Sequence, residues 1–395
     1  MSFLVVFFKN IIRKVNSNKS IKSNSNKKKS EKDIPTQHTE SDSDESFLKK
    51  AYREVLGREI DQEGLDSHLK LLQNGYTRTD ILISLTKSEE FINKVLQENY
   101  SIQSIRELKP DKYQLVDDIL NNNQILVFNA ETQEDFDWLE SMILEYGYYE
   151  KPGVWSFNIN IDKRVMAEIM SFFQPQKALE IGCANGTVLQ CLHDLNIYCE
   201  GIEISKRAIR QAFPDIKNNI HLGDILDIQL ESKYDLIFGL DIFEHLNPNK
   251  LARYIDRIYH LLNDGGFLFC NIPAFGCDPI FGTVFPIYIK DWEIDSSQGN
   301  LFSKLHVDKD GYPINGHLIW ADYQWWANQF EQKGFVREIE TEKALHTKYD
   351  HYMGEVTPAR KSYYVFSKNV NQSQNINIMN LLDSTASKVI NQYNY

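Results

Sequence analysis

Between residues 165 and 368 short apolar runs alternate with amphipathic stretches, and nothing else in the sequence constrains the fold as strongly. Residues 165–173 carry apolar side chains at helical spacing, and KALEIG follows as a continuous apolar run of strand length. The rhythm then repeats: helix at 188–195, strand CEGIEI, helix at 205–213, strands NIHLGD and YDLIFGL, helix at 248–262 behind Asn247, and strand GFLFCNIP. Strands this apolar must be covered on both faces, which is the signature of a parallel sheet wound with helices on either side. KSYYVFSKN supplies a last strand that completes the sheet. The expectation is an α/β, doubly wound, mostly parallel sheet over residues 161–370, with no internal repeat.

The first strand runs into Glu180, Ile181, Gly182, Cys183, Ala184, Asn185 and Gly186, and a helix begins at once. Small residues at 182, 184 and 186 let the backbone pass close to a ligand at a helix N-terminus. The loop suits either a dinucleotide or S-adenosylmethionine. A dinucleotide fingerprint places its third glycine five residues after the first, at position 187, which is Thr. Gly186 comes one residue early, which favours a cofactor without a pyrophosphate. The second strand ends at Glu203, where a carboxylate can accept both ribose hydroxyls of either cofactor. The third ends near Asp224, and the fourth enters LDIFEHL, residues 240–246. Ligands of open α/β sheets bind at such carboxyl ends.

Together ALEIGCANG, GIEIS, GDILD, YDLIFGLDIFEHL and LLNDGGFLF resemble the class I S-adenosylmethionine-dependent methyltransferases, in order and spacing, over about residues 165–275. The resemblance implies a Rossmann-like seven-stranded sheet and S-adenosylmethionine as cofactor. It places Glu180, Gly182, Cys183, Ala184 and Gly186 at the cofactor loop, Glu203 and Ile204 at the ribose, and Asp224 and Ile225 at the adenine. Leu240 and Asp241 then approach the methionine end. Ala184 departs from the family, which usually has Gly there; alanine costs little where φ is negative but slightly tightens the pocket.

Transfer to a hydroxyl requires a base as the oxygen attacks the methyl. The candidates are His245, Asp241, His306 and His317, the last two at or just beyond a long insertion, residues 273–316, rich in Gly, Pro, Phe and Asp. In GHLIWADYQWWANQFEQKGF, Trp325, Trp326 and Phe330 read as the core face of a helix, whereas His317 and Trp320 lie before it and offer themselves to a substrate. The segment resembles methyltransferases of bacterial surface-glycan clusters, which implies a glycan or other sugar-containing acceptor. Methylation of a small aromatic or quinone-like metabolite is the competing enzyme reading. A non-catalytic assembly protein built around a helical module is the third.

That module spans residues 46–100. Its helices are marked by Phe47, Leu48, Ala51, Val55 and Leu56, by Leu65, Leu69 and Leu72, by Ile81, Leu82 and Leu85 behind Thr77, and by Phe91, Ile92 and Val95. The acidic turn at Asp61 lacks the alternating ligands of a calcium loop. Tyr52 to Arg58, Asp61 to Gly64 and Ser88 to Phe91 resemble a bacterial domain of unknown function related to phycobilisome linker repeats, which implies docking of a protein partner and no chemistry.

Residues 1–45 read as a disordered tail, basic first and acidic later, because residues 16–46 hold almost nothing apolar to bury. The apolar run at residues 3–8 is far shorter than the roughly 20 residues that span a bilayer. With the lysines behind it, the segment 1–15 is suited to weak peripheral contact with an anionic membrane surface. Residues 101–160 connect the module to the sheet through a short strand, QILVF, and a helix near Phe136; YGYYEKPGVW there reads as packing. Residues 371–395 read as a polar C-terminal tail with one weak helix near Leu381. The formal net charge of −12 makes nucleic acid an unsuitable partner. Five cysteines without a CxxC pair imply a reducing, cytoplasmic setting and no metal site.

Overall fold

The computed structural model describes residues 43–88, 90, 110–145, 147–150, 157–369 and 372–392. The tail with its membrane-directed segment, the fourth helix at Phe91 and part of the YGYYEKPGVW cluster lie outside them. The chain divides into two compact units, residues 1–106 and 107–395.

Among the described residues of the first unit, helices form at α1 (Asp44–Ala51), α2 (Gln62–Gln73) and α3 (Arg78–Lys87), with a π-helical turn, Tyr52–Leu56, continuing α1. Each start has a chemical cause. Ser43 accepts from the Ser46 amide, Asp61 from Gly64, and Thr77 forms a reciprocal capping box with Asp80. Phe47, Leu48, Val55, Leu65, Ile81 and Leu85 close one small core. The Arg58 guanidinium lies over the Tyr52 ring and pairs with Asp61 and Glu90, so the Tyr52–Arg58 and Asp61–Gly64 signatures serve packing.

The second unit begins with an antiparallel hairpin, β1 (Tyr113–Asp118) and β2 (Asn123–Asn129), then α4 (Gln133–Glu145). After it come α5 (Ile161–Ser171), β3 (Lys177–Ile181), α6 (Thr187–Asp194), β4 (Tyr198–Glu203), α7 (Lys206–Arg210) and β5 (Ile220–Leu222). Next are β6 (Tyr234–Leu240), α8 (Pro248–Leu261), β7 (Leu262–Asn271), α9 (Lys290–Ser297), β8 (Lys304–His306) and α10 (Tyr323–Glu331). The unit closes with β9 (Val336–Arg337), α11 (Ile339–Val356), β10 (Tyr363–Lys368), α12 (Gln372–Ser384) and α13 (Lys388–Gln392). Seven strands form one sheet in the order β5-β4-β3-β6-β7-β10-β9; β3 to β7 run parallel, and β10 runs antiparallel to both neighbours. This is a Rossmann-like, doubly wound fold. Two apolar clusters, one around Met166, Leu189 and Phe269 and one around Ile237, Ile255 and Phe330, cover its two faces. Trp326 and Phe330 are fully buried in the second.

Three expectations are corrected. The tail from residue 371 is not a loose extension: Ile378, Leu382 and Ile390 are buried in the first cluster, and the Val389 amide donates to Glu168 on α5. The insertion is not a bare loop, because β8 pairs with β2 and completes a second sheet, β1-β2-β8. The helix expected over 205–213 is only the five residues of α7, stopped before Pro214.

The connecting segment is held to the main sheet by α4. Asn247, just beyond β6, donates to Asp137 and Glu140, and Lys250 pairs with Glu140 at 2.6 Å. The N-terminus of α4 is fixed by Asp135, which accepts from the Glu131 and Thr132 amides and pairs with Lys112. Burial raises its pKa, but Lys112 and those amides outweigh burial and hold it at about 2. A carboxyl depressed below its unfolded value of 3.8 stabilises the fold above that pH and loses the contribution as pH falls towards 2. Asp135→Asn is therefore expected to cost about 2 kcal/mol at neutral pH in urea unfolding, with the deficit gone near pH 2.

Candidate active site

The carboxyl ends of β3, β4 and β6 and the loops that leave them build one site. At the end of β3 the chain turns through Gly182, Ala184 and Gly186 with φ of +70°, +50° and +75°. A Cβ on Gly182 would stand 2.8 Å from Ile242, and one on Gly186 2.4 Å from Ile216, so both must be glycine for the turn to pack. The Ala184 amide donates to Glu203 at 2.8 Å, and the other Glu203 oxygen accepts from Ser205 at 2.7 Å. Glu203, 2% exposed, thus ties the β3 loop to the β4 end.

Ala184 lies in the left-handed region, so the negative φ under which alanine costs little does not hold. The conformation costs an L-residue about 1–2 kcal/mol, whereas glycine at the same place costs roughly 0.5–1 kcal/mol in unfolded-state entropy. Ala184→Gly is accordingly expected to leave the unfolding free energy unchanged or raised by under about 1 kcal/mol, while β-branched Ala184→Val lowers it. Urea denaturation of the two variants checks this, and a loss in the glycine variant alone would contradict it.

Asp224 sits beyond β5 with its carboxylate engaged: Oδ1 accepts from the Leu226 amide at 2.8 Å and Oδ2 from the Tyr254 hydroxyl at 2.5 Å. Ile225 is buried, whereas Ile204 is 45% exposed and offers an apolar surface beside Glu203. At the end of β6, Asp241 takes φ +54° and pairs with Arg360 at 2.6 Å; Arg360 also reaches Asp162 and Asn271. Glu180 is buried with one oxygen unpartnered among the described residues, and burial pushes it up to about 8. Lys163, mostly buried beside Asp162, is held below its ordinary range by that burial. Acids and cations therefore alternate at this end of the site, which suits a zwitterionic amino-acid group. Leu240 lies half-buried beside Asp241, and the Cys183 thiol, pushed up by burial, is buried under the loop.

Of the four candidate bases, the structure brings two together. His245 and His317 meet edge to face, ring centroids 4.8 Å apart, with Glu244 beneath both. Burial lowers His245 to about 4 and His317 to about 3, so both are neutral at pH 7. His306 stands apart on β8, where its ring nitrogen bonds the Tyr288 hydroxyl at 3.0 Å. Asp241 is committed to Arg360. Trp320 does not open to a substrate: it is buried, stacks on Phe275 and donates to the His317 carbonyl. Tyr149, expected only to pack, bridges the site, since its carbonyl accepts from Ser205 and its hydroxyl lies 3.4 Å from His245 Nδ1.

Sequence reasoning missed Arg360, Glu244 and Tyr149. Glu244 stands inside LDIFEHL beside a chosen histidine and was within reach. Arg360 lies 119 residues from Asp241, and no local pattern connects them.

Residues 179–268 match the family described as Methyltransferase domain, and residues 32–95 match Domain of unknown function (DUF4214). Residues 179–268 thus carry a methyltransferase domain. No curated protein matches it. Solved structures similar to it include DesVI of Streptomyces venezuelae, 14% identical, covering 58% of this chain and 98% of its own with a TM-score of 0.36. Another is CalS10 of Micromonospora echinaspora, an amino pentose methyltransferase, 14% identical over 57% of this chain and 96% of its own, TM-score 0.35. A third is the 1,6-didemethyltoxoflavin-N1-methyltransferase of Burkholderia thailandensis, 11% identical over 62% and 95%, TM-score 0.39. No helix among the described residues is long and apolar enough to cross a membrane.

Proposed function

We propose that this chain methylates a hydroxyl of a sugar-containing acceptor in glycan synthesis, the cofactor lying along the ends of β3, β4 and β6. The observation that carries the hydroxyl assignment is the pair His245 and His317 at the mouth of the β6 loop, both neutral and only 16% and 14% exposed. A hydroxyl must give up its proton as it attacks, and neutral imidazoles in contact at that point can receive it. The sulfonium cofactor supplies an electrophilic methyl group. Glu203 would hold the ribose, while Glu180 and Asp241 would face the ammonium and Lys163 and Arg360 the carboxylate of the methionine end. The likeness of residues 316–335 to glycan-cluster methyltransferases supports the sugar.

Residues 46–100 are, in this reading, a docking module for a protein partner, and the reaction is cytoplasmic. Incubation of the purified chain with a glycan fraction and methyl-labelled cofactor is expected to label sugar oxygens, and to label at least tenfold less with His317→Gln. Label on nitrogen, or label only on small aromatic metabolites, would overturn the sugar reading.

A further inference from the structure

Glu244 is the least explained residue of the site. Its side chain has no exposed surface, and neither carboxylate oxygen has a hydrogen-bond partner among the described residues. A carboxylate cut off from water and from donors is costly, by several kcal/mol, unless a charge compensates it. The two groups that face it are not donors at bonding distance: His245 Nε2 lies 3.9 Å and His317 Nε2 3.8 Å from the same oxygen, Oε1. Both separations exceed a hydrogen bond. Three lone-pair atoms, one from each residue, lie within 4.8 Å of one another.

The surrounding backbone holds them there. The Glu244 carbonyl accepts from both the Leu318 and Ile319 amides, at 2.8 and 2.9 Å, which pins the turn after β6 to the segment carrying His317. His245 Nδ1 lies 3.2 Å from the Gly316 carbonyl. A proton on Nδ1 directed at that carbonyl leaves the Nε2 lone pair facing Glu244, the arrangement that orients metal-ligating histidines. The Trp320 indole likewise fixes the His317 carbonyl at 2.9 Å.

We propose that Glu244, His245 and His317 bind a divalent first-row transition ion. Two imidazoles and one carboxylate suit zinc, iron or cobalt, whereas magnesium and calcium prefer oxygen throughout. Bonds of roughly 2.0–2.2 Å place ligand atoms roughly 3.4 Å apart, so the two 3.8–3.9 Å separations need to close by a few tenths of an ångström and the separation between the two imidazoles, within 4.8 Å, by a small ring rotation. Three protein ligands leave a fourth position open, and with Glu244 wholly enclosed it opens on the histidine side. A hydroxyl bound there would lose its proton to water more readily, and with the ion in place it is the ion, not a free imidazole, that activates the oxygen; this consequence, unlike the ion site itself, rests on the methyl-transfer reading. The expectation of no metal was drawn from the cysteines and did not weigh this cluster.

The test uses the full chain, freed of metal with a chelator and titrated with Co²⁺ and Zn²⁺. One equivalent is expected to bind, with visible cobalt bands of a site containing nitrogen ligands. Glu244→Gln and His317→Gln are each expected to weaken binding at least tenfold, with folding confirmed by circular dichroism; His193→Gln, exposed and remote in the sequence, is expected to change nothing. Absence of stoichiometric binding, or binding undiminished in both variants, would overturn the proposal. Titration of the same metal-free sample with S-adenosylmethionine separates the two readings: cofactor binding without cobalt binding refutes the ion site alone, and the reverse refutes the cofactor site alone.

Discussion

Replacing Arg337 with alanine is expected to cost about 3–5 kcal/mol of folding free energy, because it strands two buried carboxylates. Arg337 reaches Asp278 at 2.9 Å and Glu342 at 2.7 Å; its side chain is 9% exposed, and both partners are fully enclosed. Its guanidinium also lies 4.6 Å from the centre of the Tyr364 ring. The three elements so joined are β9, α11 and the start of the insertion, so the cluster ties the insertion to the sheet edge. Burial pushes Glu342 up to about 7 even with Arg337 beside it. Without the arginine the carboxyl titrates higher still, and a folded value raised above the unfolded one stabilises fully only below the unfolded value of 4.5. The deficit of Arg337→Ala should thus be smaller at pH 5 than at pH 8. Urea unfolding at the two pH values measures it, and a loss under about 1 kcal/mol at pH 8 would show that the cluster does not hold the insertion. Arg337→Lys should recover only part of the loss, since an ammonium cannot serve both carboxylates in a fork.

Glu203→Ala is expected to weaken S-adenosylmethionine binding by about 2–4 kcal/mol, roughly 30- to 1000-fold, through the loss of charge-assisted bonds to the ribose and of the latch on Ala184. The fold should survive, because the side chain sits at the end of β4 and outside both apolar clusters. Calorimetry on the variant, with circular dichroism as control, reads the effect. Affinity within threefold of the unaltered chain would remove Glu203 from the cofactor site.

The central parallel strands β3, β4 and β6 were legible because each is a short apolar run closed by a small or acidic residue, and burial on both faces leaves little freedom of composition. The loop from Gly182 to Gly186 was legible for a related reason: two of its residues have no room for a Cβ. The β1-β2-β8 sheet was not, since β8 has only three residues and draws its stability from pairing with a strand far away in sequence. The C-terminal helices were missed because their apolar residues are sparse, and burial there depends on the surface that α5 and α11 present. Polar clusters resisted reading in the same way. Asp241 and Arg360, like Glu244 and His317, meet only after the sheet and its insertion have formed. The φ of +50° at Ala184 has no sequence signal, because alanine there contradicts the usual preference.

The most direct measurement is isothermal titration of the full chain with S-adenosylmethionine, with a nicotinamide dinucleotide as the comparison ligand. Saturable binding of one equivalent of S-adenosylmethionine, and none of the dinucleotide, is the predicted result. Heat with the dinucleotide, or none with S-adenosylmethionine, would contradict the account.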